Sequence, residues 1–125
     1  MAAKRILIVD DEDDIREVAQ VSLELMGPYE VLTAASGRDG VNSARIHQPD
    51  AILLDVMMPG LDGPATLAEL QADPATRDIP VLFLTAKTQT AERARLAKLG
   101  VAGILTKPFD PLQLASQVAA ALRWS

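Results

Sequence analysis

The chain has 125 residues, room for one domain with a real core but not for two, and its 17 acids against 12 bases leave a net charge of −5. That balance argues against nucleic acid as a direct partner, because phosphate binding needs a basic surface. There is no cysteine, hence no disulfide framework and no thiolate chemistry, and the first apolar run is far too short for a signal sequence or a membrane span. A cytoplasmic protein is expected.

With two phenylalanines, one tyrosine and one tryptophan, the core must be aliphatic. The first strand is Arg5-Ile-Leu-Ile-Val9, short and rich in branched residues, and it runs straight into Asp10-Asp-Glu-Asp-Asp14. Acids suit the positive end of a helix, which accounts for Glu12, Asp13 and Asp14. It accounts less well for Asp10 and Asp11, which stand at the end of a buried strand. The helix that follows is predicted to turn Ile15, Val18, Ala19, Ser22 and Met26 inward and to stop at Gly27-Pro28. Tyr29-Glu-Val-Leu-Thr-Ala34 alternates loosely, as an edge strand would. Ser36 caps a second helix, with Asp39 three residues on, and Val41, Ala44 and Ile46 form its modest apolar face as far as about His47. His47 has no second histidine or cysteine with which to share a metal and reads as a surface residue.

Ala51-Ile-Leu-Leu-Asp55 is apolar until it stops at a carboxylate, the pattern of a central strand buried on both faces. A tight loop follows, with Pro64 in the first turn of a helix capped by Asp62 or Gly63 and buried through Leu67 and Leu70. Ile79-Pro-Val-Leu-Phe-Leu84 is the fourth strand and ends at Thr85. The helix from Thr90 to about Leu99 has little apolar area and is expected to be loosely held. Ile104-Leu-Thr106 is the fifth strand and ends at Lys107-Pro108. Asp110 and Pro111 open a last helix with Leu114, Val118 and Leu122 inward.

Strand and helix thus alternate five times, which predicts an α/β fold: a doubly wound, five-stranded parallel sheet of flavodoxin-like order 2-1-3-4-5, one domain over residues 1–125. That order makes neighbours of the strands ending in Asp10-Asp11, Asp55, Thr85 and Lys107. Carboxylates packed together repel unless cations compensate them. Lys107 supplies one charge, and a divalent ion held by oxygen and water, Mg²⁺, suits the rest. A carboxylate can also act as a nucleophile toward phosphorus.

Ile8-Val-Asp-Asp-Glu12, Leu54-Asp-Val-Met-Met-Pro-Gly-Leu-Asp-Gly63, Thr85-Ala86 and Lys107-Pro-Phe109 together resemble the receiver domain of two-component response regulators, and the likeness runs from about Ile6 to Leu122. The resemblance implies that Asp55 accepts a phosphoryl group from a phosphohistidine on a histidine kinase or histidine phosphotransfer protein. It implies Mg²⁺ on Asp11, Asp55 and the backbone carbonyl of Met57, with Asp10 acting through water. Thr85 and Lys107 would each take a phosphoryl oxygen, and the Lys107–Pro108 bond would be cis. It implies a signalling phosphoacceptor, not an enzyme, that reaches a downstream protein through the Thr90–Leu122 face as a monomer or weak dimer. The sequence leaves open whether the chain stands alone, as a chemotaxis regulator does, shuttles phosphate in a relay, or is cut from a longer protein.

Two positions depart from the family pattern. Ile104 stands where many receivers carry an aromatic switch residue, and it is stiff at χ1. The signal is therefore expected to run through the Thr85–Lys87 loop and the helix after it. Met57 and Lys87 hold positions that tune dephosphorylation in the family, and slow loss of phosphate is expected. The acid cluster is expected to be strained without metal, so that Asp11→Ala or Asp55→Asn raises the thermal midpoint. Three rival readings are weaker. A haloacid-dehalogenase-like phosphatase wants an acid where Met57 stands. A flavin module would meet repulsion at Asp10-Asp11. A pure docking module has no need of the acid cluster.

Overall fold

The computed structural model describes residues 3–86 and 89–124. Its elements in chain order are β1 (Lys4–Val9), α1 (Asp13–Met26), β2 (Tyr29–Ala34), α2 (Gly37–His47), β3 (Ala51–Asp55), α3 (Gly63–Ala72), β4 (Val81–Thr85), α4 (Thr90–Ala97), β5 (Gly103–Thr106) and α5 (Leu114–Leu122). The strands are parallel and lie in the order β2-β1-β3-β4-β5, as expected.

Successive strand residues face opposite sides of a sheet, and this divides the core in two. Leu7, Val9, Ile52, Leu54, Val81 and Phe83 pack with Val41 and Ala44 of α2, Leu67 and Leu70 of α3 and Leu96 of α4. Ile6, Ile8, Leu53, Leu82 and Leu84 pack with Ala19 and Leu23 of α1 and with Leu114, Ala115 and Val118 of α5. The three central strands are covered on both faces, which is why they are written as unbroken apolar runs.

The helix faces differ in part from expectation. In α1 the buried positions are Ala19, Ser22 and Leu23, while Val18 and Met26 are exposed. Small residues let α1 approach the sheet, and the Ser22 hydroxyl donates to the Pro111 carbonyl, so the helix settles on that stripe. In α2, Ile46 is also exposed and the face rests on Val41 and Ala44. Ser36 caps α2 as predicted, accepting from the Asp39 amide at 3.1 Å, and Asp62 caps α3, accepting from the Ala65 amide at 2.9 Å. β4 begins at Val81, past Ile79-Pro80. Asp110 caps a turn rather than the helix itself: its Oδ1 accepts from the Leu112 amide, and α5 starts at Leu114.

Every strand end that matters lies at one edge. Val9 is level with Leu54, Asp55 with Leu84, and Thr85 with Thr106. Backbone bonds from Val56 to Leu84 (3.1 Å) and from Lys107 to Thr85 (2.8 Å) carry the alignment past the ladders. Gly63 closes the loop beneath Asp55; a Cβ there would sit 2.6 Å from the Asp55 carbonyl oxygen and 2.7 Å from Val56 Cα. Gly60 has φ +71°, the left-handed region glycine enters freely. Among the described residues no helix is long and apolar enough to cross a membrane.

Candidate functional site

At that edge the chain leaves β1 as a buried acid. Asp10 is 0% exposed; its Oδ1 accepts from the Glu12 amide at 2.9 Å, and the Arg16 guanidinium donates to its backbone carbonyl at 2.8 Å. Asp55, the last residue of β3, is 2% exposed. The Met57 amide approaches its Oδ1 at 3.4 Å, and its Oδ2 is buried with no hydrogen-bond partner. Asp11 is exposed beside them.

Lys107 ties the acids together. Its Nζ lies 2.9 Å from Asp10 Oδ2, 3.1 Å from Glu12 Oε1 and 3.2 Å from Asp55 Oδ1. The Asp10 Oδ2 contact is an ion pair without a well-aligned hydrogen bond. Burial works against the ammonium's charge. Its pairing with Asp10 and Glu12, and the charges of Asp10 and Asp55, outweigh it and hold the lysine pKa above its ordinary value. For Asp55 the balance tips the other way: burial, then the Asp10 charge, push its pKa up to about 6 against the pull of Lys107 and the Met57 amide. Thr85 is fully buried at the end of β4, its carbonyl holding the Lys107 amide.

The acid set is suited to a hard cation. Asp10, Asp11, Glu12 and Asp55 each offer an oxygen within 4.8 Å of the others. Among the described residues, the two buried side-chain oxygens without an aligned hydrogen bond, Asp10 Oδ2 and Asp55 Oδ2, belong to this group. The model for the response regulator receiver domain matches residues 6–119. The chain belongs to this family.

This receiver domain is 41% identical over 123 residues to the phosphate regulon transcriptional regulatory protein PhoB of Pseudomonas aeruginosa, covering 98% of this chain and 53% of the relative. It is 39% identical over 122 residues to the alkaline phosphatase synthesis transcriptional regulatory protein PhoP of Bacillus subtilis, covering 98% and 50%. The chain thus spans about half the length of the curated relatives it matches. Among solved structures it resembles chemotaxis protein CheY4 of Vibrio cholerae at 32% identity and a TM-score of 0.87, covering 96% of this chain and 99% of that one. A putative response regulator from Chloroflexus aurantiacus gives 33%, 0.88, 98% and 99%. The setting is two-component signalling, and the domain is a signalling domain.

The receiver brings Asp10, Asp11, Asp55 and Lys107 together as expected, with Thr85 on the adjoining strand. The Lys107–Pro108 bond is cis. Met57 turns its amide toward Asp55 and leaves its side chain exposed. Ile104 lies away from the acids: it is level with Phe83, packs on the α2–α3–α4 side of the sheet, and its carbonyl accepts from Arg93 Nη2 of α4 at 3.4 Å. Lys87 lies outside the described residues. Of the acid cluster, Asp10 and Asp55 are buried, whereas Asp11 is exposed and keeps its solvation. Sequence reasoning missed Glu12 and Arg16 as site neighbours. Glu12 directly follows the acid pair, and that adjacency was the one available signal.

Proposed function

We propose that Asp55 is the phosphoacceptor of a single receiver domain spanning residues 1–125, acting in the cytoplasm. The observation that carries this reading is a buried carboxylate at the sheet's C-terminal edge with one oxygen held beside Lys107 and the other without a partner. A carboxylate oxygen of Asp55 forms the O–P bond as the N–P bond of a donor phosphohistidine breaks, and the electron pair leaves with the imidazole nitrogen. Lys107 pairs with one phosphoryl oxygen and Thr85 donates to another. Asp11, Asp55 and the Met57 carbonyl would hold Mg²⁺, with Asp10 acting through water; the ion would supply charge neutralisation.

The donor is a histidine kinase or histidine phosphotransfer protein. The domain answers by shifting between two states and docking a protein target through the Thr90–Leu122 face, as a monomer or weak dimer. With Ile104 in place of an aromatic, the change reaches that face through α4, which buries only Leu96. Intact mass after incubation with acetyl phosphate tests the reading. A gain of one phosphoryl group that needs both Mg²⁺ and Asp55, with Asp55→Asn as control, is expected. Following the same species over time reads its lifetime, which is expected to be long. No gain from acetyl phosphate or from a phosphohistidine donor would leave a docking module on a receiver fold.

A further inference from the structure

Lys107 faces three carboxylates, and they are not alike. Asp10 and Asp55 are buried; the Glu12 side chain is 61% exposed and stands on the solvent side, yet it reaches Lys107 Nζ at 3.1 Å across 95 positions of sequence. Glu12 is the N-cap residue of α1, but its side chain makes no capping bond. It is turned to the lysine instead, while its amide is spent on Asp10 Oδ1 at 2.9 Å. The ammonium lies within ion-pair distance of all three carboxylates, and its contact with Glu12 is also a hydrogen bond.

We infer that Glu12 is a positioning residue for phosphoryl uptake, holding the Lys107 ammonium at the mouth of the site. The inference rests on the phosphoacceptor reading of Asp55. Without Glu12 the ammonium has only the two buried carboxylates to pair with and retracts between them. There it covers Asp55 Oδ1 and no longer stands where an arriving phosphoryl group needs a cation. The alternative, that Glu12 merely adds negative charge, predicts the opposite sign. Removing a negative charge from the entrance would speed uptake from an anionic donor.

The test is the rate of mass gain from acetyl phosphate at saturating Mg²⁺ for wild type, E12Q, K107M and the double variant. Glu12 is exposed, so E12Q leaves the fold intact. Loss of an exposed pair corresponds to a rate about threefold lower in E12Q. No further loss is expected when E12Q is added to K107M, because the effect acts through the lysine. The nitrogen NMR signal of the Lys107 ammonium, recorded without donor, gives a second readout: its protons exchange with water faster in E12Q, as one donor is released. An unchanged or faster uptake rate, an equal loss in the K107M background, or unchanged ammonium exchange overturns the inference. Wild type that takes up no phosphate overturns the phosphoacceptor reading instead, a result distinct from equal rates for wild type and E12Q.

Discussion

Burying a carboxylate with one oxygen unpaired works against the folded state, and at Asp55 the Lys107 ammonium 3.2 Å away offsets only part of that cost. The balance has a pH signature in metal-free buffer. The Asp55 pKa rises from 3.8 to about 6, with burial the leading cause, so the folded chain holds this proton more tightly than the unfolded one. Asp55 therefore contributes a stability that is complete below its unfolded pKa and is lost as pH rises through about 6. Asp55→Asn has no such proton to lose. Its advantage over wild type should grow between pH ~4 and ~6 and then level off, reaching on the order of 1–3 kcal/mol. Urea unfolding of both proteins with chelator at several pH values measures it. A difference that stays constant across that range would show that burial at Asp55 carries no net penalty.

Among the elements, the strands were the most legible in the sequence, because a strand covered on both faces has one signature, an apolar run. The helix stripes were less so. In α1, Met26 lies on the same angular stripe as Ala19 and Leu23 but stands at the helix's last residue, and Val18 lies just beside that stripe, so the apolar pattern alone does not show that both are exposed. The weak face of α4 was legible because nothing competes with it. Leu96 is its one buried residue, its N-cap Gln89 makes no side-chain bond, and Arg93 supplies a polar tie to β5, donating to Thr106 Oγ1 at 3.2 Å and to the Ile104 carbonyl. Arg93→Ala should loosen α4 and little else. Losing these bonds costs about 1 kcal/mol, roughly a fivefold rise in amide exchange over residues 90–97 with α3 unchanged. Hydrogen–deuterium exchange read by mass spectrometry checks this. An α4 as protected in the variant as in wild type would mean that Leu96 alone anchors it.

At the scale of the molecule, parallel order brings residues from both ends of the chain to one edge, and the site was readable because Asp10, Asp55 and Thr85 directly follow apolar runs and Lys107 follows the fifth strand. Glu12 was not, since a helix start accounts for an acid there equally well and only the folded lysine reveals its partner. The same gathering would make metal binding a property of the whole fold: no single segment holds all the acids, so an ion held at the native edge would stabilise every element that builds it. At Mg²⁺ tenfold above its dissociation constant the gain is about 1.4 kcal/mol, which for a domain of this size raises the thermal midpoint by roughly 3–6 °C. Asp11→Asn separates binding from folding, because Asp11 is exposed and its amide replacement disturbs no packing. The variant should match the wild-type midpoint in chelator to within a degree or two and lose most of the Mg²⁺ shift. Calorimetry of both proteins across a Mg²⁺ series decides it. An undiminished shift in Asp11→Asn would remove Asp11 from the metal set and leave the ion to Asp10, Glu12 and Asp55.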